Sequence, residues 1–197
     1  MPLHVSQPPA AALRTVLAAL RSPAAREAGT PALRSAPGPL TADVPLPLHV
    51  LDAAPGPVGA PPRTRLAGWR FLIRGGELPL AAADAVPSPE GEGWAFAHFF
   101  EGPYIAATER ALHQAEAAQT LWQPRLLSVP ELYMLTLWLH GNTEGDPSAG
   151  SPAGTDMLIP LAPAPPGIAA HRPHRVADLL PRLAVRLVPP PLLGSTA

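Results

Sequence analysis

The sequence predicts an α+β fold: an antiparallel sheet of about six or seven strands with one central helix packed on it. Short amphipathic helices are expected at both termini, with a Pro/Ala-rich linker near the amino terminus. All ten aromatic residues lie between Trp69 and Trp138, and residues 68–161 hold only 9 of the 30 prolines. Aromatic side chains bury large areas, whereas proline interrupts strand ladders. We therefore expect the aromatic core at 68–161.

The first predicted element is an amphipathic helical arm at residues 1–22, which Pro23 would end. Four apolar residues in it recur at i, i+3, i+4 and i+7, the spacing of one helix face: Leu13, Val16, Leu17 and Leu20. Residues 23–65 are mostly Ala, Pro and Gly, a composition typical of a linker, with a candidate short strand at 46–52.

Residues 66–188 are predicted to form the α+β domain. Side chains alternate in polarity over 69–74, which indicates a half-buried strand. The two glycines at 75–76 form a turn to a hairpin partner at 78–86. A further strand is expected at 94–100, where four aromatic residues are concentrated.

A helix then begins at Pro103, because proline is favoured in the first turn of a helix. Three more strands are predicted, at 125–129, 132–140 and 156–161. The last two are expected to pair across residues 141–154, a polar loop predicted to be mobile. A second amphipathic helix at about 178–188, with Asp178 as its N-cap, precedes a Pro-rich tail at 189–197.

The composition excludes several kinds of chemistry. All 14 basic residues are arginine, so lysine Schiff bases and the Walker-type phosphate loop are ruled out. Without cysteine there are no thiol nucleophiles, disulfides or thiolate metal sites. Arginine without lysine suggests a GC-rich bacterium as the source.

Charge and hydropathy give expectations about location and partners. No run approaches the ~18 apolar residues of a membrane span. No secretory signal is expected either, because Arg14 interrupts the only apolar run near the amino terminus. The net charge of −1 gives no general attraction to nucleic acid, and the basic stretch at 171–175 is interpreted as a polar lead-in to the last helix. We expect a cytoplasmic protein that does not bind nucleic acid.

One group of residues is a candidate metal site: His98, Glu101 and His140. Two imidazoles and a carboxylate are suitable ligands for a divalent metal. However, the spacing from His98 to Glu101 across a strand-to-helix junction matches no standard ligand motif. The alternative interpretation is two partly buried histidines with ordinary hydrogen bonds. No cofactor is predicted.

The favoured functional hypothesis is a non-enzymatic protein–protein interaction protein, an adaptor or assembly factor that docks through its terminal amphipathic helices. Its partner would be another protein or a second copy of the chain. The predicted partner-binding residues are Leu13, Val16, Leu17 and Leu20. The alternative is a small metal-dependent, hydrolase-like enzyme that uses His98, Glu101 and His140. A third hypothesis is attachment to a membrane surface through the helix that carries Arg14 and Arg21.

Overall fold

The computed structural model describes residues 3–26, 30–52 and 63–187. Four α-helices are present in this part of the chain: α1 (Ala10–Arg21), α2 (Pro31–Arg34), α3 (Pro103–Glu116) and α4 (Val176–Leu187). Eight strands form one sheet: β1 (Leu40–Leu51), β2 (Thr64–Gly75), β3 (Leu78–Pro87), β4 (Trp94–Phe100), β5 (Gln123–Val129), β6 (Met134–His140), β7 (Met157–Pro160) and β8 (His174–Arg175). Short 3-10 turns lie at Pro23–Arg26 and Pro130–Leu132.

The sheet consists of two antiparallel meanders joined side by side. Its strand order is β4-β3-β2-β1-β5-β6-β7-β8. Six of the seven neighbouring pairs are antiparallel, and only β1 and β5, where the meanders meet, are parallel. A parallel pair needs a crossover connection, and α3 supplies it between β4 and β5. The mixed α+β class is therefore confirmed, with one or two more strands than predicted.

The segment predicted as a linker with a candidate short strand at 46–52 contains a central strand, β1, which begins six residues earlier than that candidate, so residues 40–45 are not linker. β1 pairs with β2 on one side and with β5 on the other. Pro45 is tolerated because the ladder to β2 is irregular between Asp43 and Leu46, where Val44 has a φ of 43° and Pro45 lies outside the register, whereas Pro47 stays in register opposite Trp69. Residues 53–62 of the predicted linker lie outside the described residues.

Helices cover both faces of the sheet. Successive strand residues point to opposite faces. On β2, Leu72 packs with α3, whereas Phe71 packs with α1 and α2; on β5, Leu126 packs with α3, whereas Leu127 packs with α4. Therefore α3 lies on one face of the sheet, and α1, α2 and α4 lie on the other.

The carboxyl-terminal helix begins two residues earlier than predicted. The backbone N–H of Val176 donates to the Asp156 carbonyl at 2.9 Å, and that of Ala177 donates to the Gly154 carbonyl at 3.3 Å. These bonds satisfy donors that a helix start leaves free, so Asp178 lies in the first turn and is not the N-cap. The predicted tail at 189–197 lies outside the described residues. None of the helices in the described ranges has the length and apolarity to span a membrane.

Candidate functional site

The apolar stripe predicted to dock a partner is largely used within the chain. Val16 is fully buried, and Leu13 and Leu20 pack against the cluster around Trp69 and Phe71 on the sheet. The helix is therefore not a free arm in this structure: it covers one face of β3 and β4. Leu17 and Leu20 nevertheless retain a side that faces an open depression.

This depression, the α1–α2 groove, has a volume of about 540 Å³. It runs between α1, α2 and the start of β1, and six residues supply most of its side-chain lining: Leu17, Leu20, Arg21, Leu33, Arg34 and Leu40. Arg21 and Arg34 are exposed, and neither forms an ion pair with any described residue. The groove therefore combines leucine side chains with two uncompensated positive charges.

Glu101 has a structural role beside the groove and not the predicted metal-binding one. Its Oε1 accepts the backbone N–H of Ala32 at 2.9 Å and of Leu33 at 3.4 Å. These are donors in the first turn of α2 that have no partner within the helix, and a carboxylate there also favours the helix dipole. Glu101 thus holds α2 against the α3 end of the fold and fixes the position of Arg34.

The two histidines of the candidate metal site lie far apart, which contradicts that hypothesis. His98 is on β4 and His140 ends β6, five steps away in the strand order, or about 24 Å at ~4.8 Å per step. They also lie on opposite faces, because His98 contacts Phe100 on the α3 side and His140 contacts Trp138 on the α4 side. No group of three metal-ligating side chains occurs among the described residues.

A second feature, which the sequence analysis missed, is a buried polar cluster on the α4 side of the sheet. Its members come from β1, β5, β6 and the residue that precedes β7: His49, Gln123, Arg125, Trp138, His140 and Asp156. The segment 141–155 lies over it. The available signal was a charged residue in an otherwise apolar strand, since Arg125 precedes Leu126 and Leu127.

Arg125 is the centre of this polar cluster. It is 0% exposed. Its Nε donates to Gln123 Oε1 at 2.7 Å, Nη1 to the Ala149 carbonyl at 2.6 Å and Nη2 to the Asp146 carbonyl at 3.0 Å. The guanidinium carbon lies 4.8 Å from the centre of a Trp138 ring. Burial lowers the Arg125 pKa to about 10, although Asp156 and Asp146 act in the opposite direction. No carboxylate of the described chain forms an ion pair with it.

Asp156 is the main acceptor of the cluster, and its side chain accepts four hydrogen bonds. Trp138 Nε1 and His140 Nδ1 each donate to it at 2.8 Å, and the backbone N–H groups of Gly141 and Ala153 donate at 3.1 and 3.0 Å. Because Nδ1 of His140 faces the carboxylate, its proton is held there. These contacts join the two ends of segment 141–155.

His49 completes the cluster from β1. It is 1% exposed, and its Nε2 donates to the Pro147 carbonyl at 2.9 Å, while its Nδ1 is buried and has no hydrogen-bond partner among the residues that the structure describes. The pKa of His49 is lowered to about 4, mainly by burial and to a lesser extent by Arg125 and His140, against the Pro147 hydrogen bond and Asp146, which raise it. The imidazole is therefore neutral at neutral pH.

The loop that was predicted to be mobile is attached to this cluster at several points. Besides the bonds from Arg125 and His49, Gln123 Nε2 donates to the carbonyls of Thr143 and Gly145, at 3.3 and 2.9 Å. Thr64 Oγ1 donates to the Gly150 carbonyl at 2.9 Å. These hydrogen bonds therefore fix the path of residues 141–155 across the sheet.

Comparisons with protein-family models, with curated protein sequences and with solved structures find no match to this chain. Its function is accordingly argued from the geometry of the groove and of the buried cluster.

Proposed function

We propose that this chain is a non-enzymatic, cytoplasmic protein–protein interaction protein that docks an acidic segment of a partner protein in the α1–α2 groove. The observation that carries the proposal is the combination in one depression of leucine side chains with two arginines, Arg21 and Arg34, that form no ion pair within the described part of the chain. The docking element is then still the amino-terminal helix. However, it offers the Leu17 and Leu20 side of the helix and not the whole predicted stripe.

The two kinds of side chain supply different parts of the recognition. A leucine or phenylalanine side chain that is fully buried contributes about 1.5–3 kcal/mol, so an apolar anchor in the groove supplies most of the affinity. An exposed ion pair contributes only about 0–1 kcal/mol, so the arginines mainly select for acidic residues beside the anchor and reject basic ones. Arg34 can take part because Glu101 fixes α2.

The proposal is tested with short labelled peptides that carry a central leucine or phenylalanine flanked by glutamate, and with matched peptides in which lysine replaces glutamate. Fluorescence anisotropy should show that the full chain binds the glutamate peptides more tightly than the lysine peptides. The double variant Arg21→Glu/Arg34→Glu should reverse this preference. Arg14→Glu is the matched control, because it makes the same charge change on an exposed face of α1 outside the groove lining.

Two results would count against the groove: equal binding of both peptide sets by the wild-type chain, or an unchanged preference in the double variant. Sedimentation of the same proteins identifies the case in which the acidic partner is a second copy. There the wild-type chain self-associates and the double variant does not. The metal-dependent alternative is not proposed, because His98 and His140 lie on opposite faces of the sheet.

A further inference from the structure

Arg125 is a buried cation without an acidic ion-pair partner among the described residues, and the proposed function does not use it. Removing a charge from water costs several kcal/mol unless close partners compensate. The partners of this guanidinium are a side-chain amide and two main-chain carbonyls, which are all neutral acceptors. The bonds from the guanidinium to these carbonyls are charge-assisted, but a carboxylate or phosphate would in addition bring the opposite charge that neutral acceptors lack. The site is therefore only partly compensated as it stands.

What covers Arg125 is backbone. The carbonyls of Asp146 and Ala149 receive one terminal nitrogen each, and the Pro147 carbonyl receives His49. The side-chain Nε2 of Gln123 likewise donates to two carbonyls of the segment, those of Thr143 and Gly145. Removing segment 141–155 would leave a planar fork of donors over the Trp138 ring, with His49 and Gln123 beside it.

We propose that segment 141–155 is a lid over an oxyanion site in which Arg125, Gln123 and His49 bind a ligand's carboxylate or phosphate group. In the closed state, two carbonyl oxygens occupy the two terminal nitrogens of Arg125, which a bidentate oxyanion uses as well. The ligand takes the place of these carbonyls when the lid opens.

The negative charges near the site do not prevent this exchange. Asp146 belongs to the lid and moves away with it. Asp156 stays, but its side chain already accepts hydrogen bonds from Trp138 and His140, and from the backbone N–H groups of Gly141 and Ala153 at the two ends of the lid, where it is attached to the sheet.

The charged and titratable groups that face His49 are Arg125, His140 and Asp146. A bound anion adds a negative charge beside His49 and raises its pKa from the value of about 4, so binding takes up a proton. The affinity for the ionised form of the ligand should therefore increase as the pH falls from neutral toward 4. A structural clamp alone would give no such ligand linkage.

The test is an NMR titration of the full chain with inorganic phosphate and with acetate. It follows the Arg125 Nε–H, the Trp138 indole N–H and the amides of Asp146 and Ala149. Saturable shifts in all of these groups are expected, with tighter binding at lower pH. Which of the two ions binds more tightly distinguishes a phosphate site from a carboxylate site.

Two variants separate a lid from a passive loop. Thr64→Val removes only the bond to the Gly150 carbonyl, so it destabilises the closed state without touching Arg125. The loss of one hydrogen bond should increase the affinity by about fivefold. Arg125→Gln should abolish the shifts. If that variant does not fold, Thr64→Val alone decides the question. Arg172→Gln, an exposed arginine elsewhere, should change nothing.

The absence of saturable shifts in both the wild type and Thr64→Val would overturn the proposal. So would shifts that persist unchanged in Arg125→Gln. If the wild type and Thr64→Val bind phosphate and acetate with equal affinity, segment 141–155 is not a lid.

Discussion

The packing of α1 on the sheet can be tested at a single side chain, Val16. This residue is 0% exposed and lies in the cluster that contains Trp69 and Phe71. In a free helical arm, Val16→Ala would leave stability unchanged or raise it slightly, because alanine has the higher helix propensity by about 0.5 kcal/mol. In a docked helix, the same change removes buried methyl groups from the core.

The expected magnitude follows from these opposing effects. A valine side chain has two more carbon atoms than an alanine side chain. Burial of each contributes about 0.8 kcal/mol to stability, so their loss removes about 1.6 kcal/mol. The cavity left behind adds up to about 1 kcal/mol, and the gain in helix propensity subtracts about 0.5 kcal/mol. We therefore expect Val16→Ala to lower the free energy of unfolding by about 1–2 kcal/mol.

Urea unfolding of the full chain, with equal m-values for the two proteins, measures this difference. Arg14→Ala is the control on the exposed face of the same helix, and it should change the free energy of unfolding by less than about 0.5 kcal/mol. If Val16→Ala is no more destabilising than Arg14→Ala, the helix is not docked and this account of the fold is wrong at α1.

Two further predictions concern charged groups inside the fold. Arg70 donates two hydrogen bonds of 2.8 Å to Asp84, and both side chains are largely buried. Asp84→Ala should therefore cost about 3 kcal/mol in a urea melt, and the double variant with Arg70→Met should cost less. A loss in the double variant equal to the sum of the two single losses would show that the two residues are not coupled. His49 has a folded-state pKa of about 4, below its ordinary 6.5, so the unfolded chain binds more protons between these values. Its contribution, up to about 3 kcal/mol, should be complete above pH 6.5 and lost as the pH falls through 4. His49→Gln should flatten this part of the stability–pH curve. His171 and His174 also have lowered pKa values, so the stability–pH curve of His49→Gln should keep a smaller slope of the same sign. If the curves of His49→Gln and the wild type are the same, the lowered pKa assigned to His49 is wrong.

Local pattern was sufficient for elements whose partners are near in sequence. The alternation at 69–74 and the glycines at 75–76 predict the β2–β3 hairpin, and the structure pairs Phe71 with Ala83 and Gly75 with Leu78. Pro103 likewise predicts where α3 begins, and the structure begins the helix at this residue. In these cases the signal and the contact lie within a few residues of each other.

β1 shows why the same reasoning fails elsewhere. Its prolines resemble those of a linker, and only the ladders to β2 and β5 show that the irregularity near Val44 accommodates Pro45 and that Pro47 lies in register with Trp69. More than seventy residues separate β1 from β5, so the periodicity within either segment does not predict that the two strands pair.

The functional residues divide in the same way. The sequence alone determined that Leu17 and Leu20 share a helix face, that thiol and lysine chemistry is excluded, and that residues 68–161 carry the aromatic core. These properties depend on composition and on the helical repeat. Only the tertiary structure decided that Val16 is buried, that His98 and His140 lie on opposite faces, and that Arg125 lies under segment 141–155. The physical reason is that backbone geometry sets the period of an element, whereas the burial of both sheet faces selects which distant elements meet.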